Sequence, residues 1–264
     1  MLKLTNVNKT FNKGTINERK ALVNISLEVP QGQFITLIGG NGAGKSTMMN
    51  LVAGTHLPDS GEISLGETDI TYMSEHKRAR QIGHLFQDPL MGTAPGMTIE
   101  ENLSLAYLRG KHHGFYPAVS RKNQTFFEEQ LKSLDLGLED RLKTKVGLLS
   151  GGQRQAITLL MATIETPKLL LLDEHTAALD PDTADKIMRL TETIVREHGI
   201  TTLMITHNIQ SALTAGDRTI MMTQGEIMMD IAGEERSAMT VESLMEKFKQ
   251  RSGQELDNDR MLLS

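Results

Sequence analysis

Nine consecutive residues have the types and spacing of a phosphate cradle: Gly39, Gly40, Asn41, Gly42, Ala43, Gly44, Lys45, Ser46 and Thr47. Gly39, Gly44, Lys45 and Ser46 fit G-x-x-x-x-G-K-[ST], in which glycines let successive backbone N–H groups converge on an anion at the positive end of a helix dipole. Lys45 then supplies a point charge for β- and γ-phosphates. Ser46 offers a hydroxyl to Mg²⁺, and Thr47 a hydroxyl to the α-phosphate. The bland alternative is a glycine-rich turn with a solvated lysine. That reading does not require the apolar run Phe34 to Ile38 before the loop or the helical run Met48 to Ala53 after it, and both are present.

Other residues invite chemistry, each beside a plainer explanation. Asp173 and Glu174 follow four leucines, 169 to 172, and two carboxylates at the end of a buried strand are costly unless a cation or a reaction accounts for them. Ser150, Gly151, Gly152 and Gln153 open a helix whose serine is a good N-cap and whose glycines leave the terminus bare. That is either a simple helix start or a second anion site without a lysine. His207 ends the run Thr201 to Thr206. A lone histidine is usually structural, but if the strands are parallel it shares a sheet edge with Asp173 and Glu174, where ligands of open α/β sheets sit. Asp180 precedes Pro181 and Asp182, so capping alone would explain it. Phe11, in the polar stretch 8–14, either lies against an adenine ring or folds back on the sheet.

The elements that must hold these residues read as an α/β domain. Residues 2–8 and 22–29 alternate as half-buried strands, with Phe34 to Ile38 as the strand that feeds the phosphate loop. Short strands follow at 62–65 and 81–86. Residues 90–97 are rich in Gly, Pro and Met and read as irregular. From Thr98, a capping-box partner of Glu101, the pattern turns helical to about Leu149. The four leucines describe a central parallel strand, Asp180 to Gly199 a helix, and 201–206 another buried strand. Two short strands around Gly225 and a helix near 240–249 close the domain. The tail from Arg251 reads as frayed. Lys111, His112, His113, Arg121 and Lys122 form a basic patch that reads as a solvated loop, adjacent histidines being weak evidence for a metal.

Composition narrows the classes. A chain of 264 residues with net charge −5 lacks the basic excess of a generic nucleic-acid binder. With no cysteine it forms neither disulfides nor thiolate metal sites, which fits a reducing compartment. No apolar run approaches the ~20 residues of a spanning helix, and the N-terminus does not read as a signal peptide. Sixteen methionines read as adaptable core filling.

The ordered set Gly39 to Thr47, Gln87, Leu149 to Gln153, Leu169 to Glu174, Ala178 to Asp180 and His207 resembles the nucleotide-binding subunit of ABC transporters. The resemblance spans nearly the whole chain. It implies a P-loop NTPase (RecA-like) core with a mainly parallel sheet, an N-terminal antiparallel β subdomain and an α-helical subdomain inserted at about 90–165, all in one ATPase domain over 1–264 with a frayed tail at 251–264. It further implies a head-to-tail homodimer. Each ATP would be held by Lys45, Ser46 and Thr47 of one copy and Ser150, Gly151 and Gly152 of the other. Gln87 and Asp173 would complete the Mg²⁺ shell with Ser46. Glu174 would be the general base, His207 the γ-phosphate switch residue and Phe11 the adenine-stacking aromatic. A separate permease, a substrate-binding protein outside the membrane and a location at the cytoplasmic face of the cell membrane are implied as well. No nucleic acid is. Two departures are visible: His175 stands where the family usually has proline, and Ala178 where serine or glycine is common. The phrases Asp173 to Asp180 and Phe86 to Pro95 look like a bacterial subgroup associated with uptake of the tryptophan/tyrosine type. A P-loop kinase would leave Ser150 to Gln153 and His207 unassigned, and DNA-repair or ribosomal members of the class usually carry a coiled coil or two modules, neither of which is present here.

Overall fold

The computed structural model describes residues 1–111, 119 and 121–252. His112, His113 and the tail beyond residue 252 therefore lie outside the described residues. The chain divides into two compact units, Met1–Arg78 with Gly199–Ser264, and Ala79–His198, the second inserted in the first.

In chain order the first unit begins with β1 (Leu2–Phe11), β2 (Arg19–Val29), β3 (Phe34–Ile38), α1 (Lys45–Ala53), β4 (Ser60–Leu65), β5 (Thr68–Asp69) and α2 (Glu75–Arg78). The second unit carries β6 (Ile82–Leu85), α3 (Ile99–Tyr107), α4 (Arg121–Lys132), α5 (Gly151–Thr163), β7 (Leu169–Asp173) and α6 (Pro181–His198). The chain then returns to the first unit with β8 (Thr201–Ile205), α7 (Ile209–Thr214), β9 (Arg218–Thr223), β10 (Glu226–Ala232), α8 (Gly233–Ser237) and α9 (Val241–Ser252).

Two sheets make the first unit. An antiparallel sheet in the order β2-β1-β4-β5 buries Leu2, Leu4 and Val7 of β1, the alternation expected of a half-buried strand. Both of its long strands exceed their expected bounds, and Phe11 is corrected by this: it is no loop residue but the last rung of β1, paired with Arg19. In the other sheet β3 lies between β8 and β9 and is parallel to both, while β10 runs antiparallel to β9. All five residues of β3 and of β8 are buried. Such two-sided burial is what their uninterrupted apolar runs require. Met221 and Met229 join Ile38, Ile209 and Phe248 in the core beneath α7 and α9, so these methionines do fill the interior.

In the second unit β6 and β7 pair in parallel, and the first four residues of β7, the leucine run, are buried. The helices gather around Leu103, Phe127, Leu131, Val146, Ile157 and Leu160. Thr98 caps α3 as its spacing predicts. Its backbone N–H donates to the Glu101 carboxylate at 2.7 Å while its hydroxyl accepts from the Glu101 N–H at 3.3 Å. The helical pattern expected up to Leu149 is broken, because α3 ends at Tyr107 and residues 139–141 and 146–148 form single 3-10 turns. Lys111 is not merely solvated: it pairs with Glu165, and its ammonium stands 3.6 Å from the centre of the Tyr107 ring.

Candidate nucleotide site

The first unit carries the phosphate loop. β3 delivers Gly39 at φ 147°, where an added Cβ would lie 2.2 Å from the Met222 carbonyl oxygen of β9, so no side chain fits. The loop turns back on itself through Ala43 N–H donating to Gly40 O at 3.1 Å, and Ala43 O accepts from Gly225 N–H at 3.0 Å. Gly44, left-handed at φ 103°, caps α1 with no side-chain bond to the helix N–H groups. Lys45 is only 6% exposed; its ammonium donates to Gly39 O at 2.6 Å and Gly40 O at 3.2 Å. Ser46 is exposed and Thr47 half-buried. Arg19 adds a bond from its Nη2 to Gly42 O at 2.9 Å, a contribution to the loop that spacing did not reveal.

His207 belongs to the same unit. The parallel register ends with Leu37 opposite Ile205, so Gly39 and His207 leave neighbouring strands at the same edge. Thr206 N–H donates to Leu37 O at 3.2 Å, and Asn208 Oδ1 caps α7 by accepting from Ser211 N–H at 2.7 Å. His207 is thereby fixed between a strand rung and a helix cap, half-buried. Phe11 is half-buried too, edge-on to His56 with ring centroids 5.4 Å apart.

The second unit carries the carboxylates. Leu85 pairs with Leu172 at the end of the parallel ladder, so Gln87 and Glu174 emerge side by side at the carboxyl ends of β6 and β7. Gln87 is exposed, while Asp173 and Glu174 are half-buried. Glu174 has φ 48°, a left-handed backbone that costs a non-glycine residue roughly 1–2 kcal/mol. The chain then turns, with Ala177 N–H donating to Glu174 O at 3.0 Å and Leu179 N–H to Thr176 O at 3.1 Å. His175 points inward, 3% exposed, its Nε2 3.2 Å from Thr191 Oγ1 of α6. Burial pushes its pKa down to about 4. Asp180 accepts from Thr183 N–H at 3.1 Å at the start of α6, and its bonds to Thr183 hold its carboxyl below the usual carboxylate range.

The start of α5 lies in this unit as well and differs from the bare terminus that its glycines suggest. Ser150 and Gln153 form a reciprocal capping box, each side chain accepting from the other's N–H at 3.3 Å. Ser150 and Gly151 are exposed and Gly152 is buried; a Cβ on Gly152 would lie 2.3 Å from Thr183 Cγ2, so the glycine lets α5 approach the start of α6. Arg154 pins the preceding loop by donating to the Leu149 and Gly147 carbonyls at 3.1 and 3.3 Å. Sequence reasoning passed over it, because an arginine after a glycine pair has no signature of its own.

A parallel β-strand that ends in a lysine-bearing phosphate loop and helix, in a chain that also carries a buried strand ending in Asp-Glu, defines a P-loop nucleoside triphosphatase. The match is to a particular family: residues 22–177 fit the model described as ABC transporter. The tyrosine transport ATP-binding protein of Clostridioides difficile (strain R20291) is 44% identical over 249 residues, 94% of this chain and 99% of that one. An aliphatic sulfonates import ATP-binding protein, SsuB of Pseudomonas putida, is 34% identical over 218 residues, 82% of this chain and 73% of its own. In structure the chain is similar to the dimeric post-hydrolysis state of the ATP-binding cassette MJ0796 bound to ADP and Pi. The TM-score there is 0.75 at 32% identity, covering 88% of this chain and 98% of that one. The chain belongs to the ABC transporter family as its ATP-binding, ATP-hydrolysing subunit. The expected fold class, a P-loop core with an antiparallel N-terminal sheet, holds.

Proposed function

We propose that this chain energises a solute importer, with the whole of 1–264 acting as one ATPase domain that includes a helical subdomain at about 90–165. The observation that carries the reading is the buried Lys45 ammonium, gathered in by the Gly39 and Gly40 carbonyls inside a loop whose glycines 39, 42 and 44 sit where a Cβ would strike Met222 O, Arg19 Nη2 and Ala21 O. Gly39 to Thr47 bind the phosphates, with Asn41 and Gly42 contributing backbone N–H groups and Ala43, whose N–H donates to Gly40 O, closing the turn, and Phe11 stacks on the adenine. Ser46, Gln87 and Asp173 offer oxygen ligands only, the donor set that suits Mg²⁺. A Mg²⁺ ion held there would neutralise the negative charge of the phosphates. Glu174 orients the attacking water and accepts its proton. His207 hydrogen-bonds the γ-phosphate as charge develops there.

Two copies work head to tail, each offering Ser150, Gly151, Gly152 and Gln153 to the nucleotide on the other's phosphate loop, with Asp180 shaping the turn opposite. Relatives named for tyrosine transport and sulfonate import support import, and the 44% relative supports an aromatic amino acid as cargo. Among the described residues no helix is long and apolar enough to cross a membrane, so a separate permease carries the solute and holds this chain at the cytoplasmic face, with a substrate-binding protein delivering cargo on the far side.

The test is Glu174→Gln. The variant is expected to retain ATP, to lose hydrolysis by about 10²- to 10⁴-fold, and to shift from monomer to dimer with MgATP in light scattering. A variant that stays monomeric when loaded, or that hydrolyses at the parent rate, overturns the reading.

A further inference from the structure

We propose that His175 is a positioning residue for Glu174, acting through Thr191. The inference rests on Glu174 being the base that orients water, as proposed above. Glu174 holds a left-handed backbone at φ 48°, a conformation that persists in a non-glycine residue only where the surroundings over-determine it. On the strand side it follows β7, whose leucines are buried. On the helix side the immediate anchor is the side chain of His175, buried with its Nε2 3.2 Å from Thr191 Oγ1.

The direction of that bond is set by where the Thr191 hydroxyl proton goes. Thr191 is fully buried, and its hydroxyl donates its single proton to Ile187 O at 2.8 Å, one turn back in α6. With the proton so placed its oxygen accepts from the ring, and we take His175 to carry its proton on Nε2 and donate. One tautomer is selected, and the residue after Glu174 is tied to the third turn of α6 through a chain of two bonds: His175 to Thr191, Thr191 to Ile187. The turn's own bonds, Ala177 N–H to Glu174 O and Leu179 N–H to Thr176 O, close the same segment from the backbone side. Release of the His175 anchor lets the Glu174 backbone relax toward a right-handed or extended conformation, and either swings its carboxylate out of line. A plain core-filling histidine would need only volume, whereas this one is committed to a single donor role.

The two readings separate in kinetics on the purified full chain. His175→Phe keeps the volume and removes the donor; Thr191→Val removes the acceptor at a distance from the turn; His175→Asn restores a donor. We expect His175→Phe and Thr191→Val each to lower kcat for ATP about tenfold with KM for ATP unchanged. The double variant should be no slower than either single one, and His175→Asn should recover most of the rate. Parent-level kcat in both single variants, a multiplicative double variant, or a loss of kcat and KM that follows melting temperature overturns the proposal in favour of packing alone. If His175→Phe does not fold, Thr191→Val decides by itself, and failure of both to fold also assigns the pair to packing. The Glu174→Gln variant separates the two layers. If it hydrolyses ATP, the assignment of the base is wrong; if it is inactive while Thr191→Val turns over normally, only the role of His175 is.

Discussion

On β6, His84 lays its ring on Phe86 with centroids 4.2 Å apart, and its Nε2 is buried without a hydrogen-bond partner among the described residues. Burial alone pushes its pKa from 6.5 down to about 4. The unfolded chain therefore binds more protons than the folded one between those values. The stability that neutral His84 contributes is complete above pH 6.5 and is lost as pH falls toward 4, at up to about 1.4 kcal/mol per pH unit. Thermal melts from pH 7 to 4.5 should show this decline, to which buried His175 adds a similar share, and His84→Leu should reduce the slope by about half; equal slopes in both proteins would place the acid sensitivity elsewhere. At this scale the phosphate loop was the most legible part of the molecule, because glycine spacing and a lysine describe a backbone shape. The left-handed Glu174, the burial of His175 and the end of β1 at Phe11 were not legible. Each depends on what packs against it from a distant part of the chain.

Two helices that begin at site residues, α1 and α5, and α7, which starts two residues after His207, are each held at the far end by an arginine. Arg78, 1% exposed, donates from Nη1 to the Leu51 and Val52 carbonyls at 2.6 and 3.0 Å at the end of α1, from Nη2 to Thr71 O at 3.1 Å and from Nε to Met73 O at 2.8 Å. Arg109 reaches Ala162 O and Glu165 O at the end of α5, at 3.2 and 3.3 Å. Arg236 reaches Ala212 O at 3.0 Å, and Ala215 O, at the end of α7. A guanidinium there meets the negative pole of the helix dipole and satisfies carbonyls that the helix leaves open. Arg78→Met should strand four acceptors and cost about 3 kcal/mol or more in chemical denaturation, with Arg78→Lys between it and the parent; a loss under ~1 kcal/mol would show that the carbonyls find other donors. The long elements were legible from leucine runs, caps and the proline at the start of α6. The short helices α2, α7 and α8 were missed, since four to six residues carry too little periodicity. Buried arginines read as surface charge until the carbonyls they serve are known.

Over the whole molecule, exposed large apolar side chains occur in both units, and in the second they are Leu90, Met91, Leu105 and Leu148, with Met91 at 70%. Leu90 and Met91 lie in the segment after Gln87, and we propose that this segment, with Met91, Ala94 and Met97, receives a cytoplasmic helix of the permease. Met91→Glu or Met97→Glu should leave ATP binding unchanged and abolish cargo uptake in reconstituted vesicles; undiminished uptake would refute the assignment. The sheet order around β3 has a further consequence. Both neighbours of this fully buried strand, β8 and β9, lie beyond the inserted second unit in the chain. During synthesis at about 5–20 residues per second, β3 waits on the order of ten seconds before either partner leaves the ribosome. The inserted unit has meanwhile received its whole sequence, and the nascent chain carries an apolar strand without its sheet partners until the last quarter has been translated.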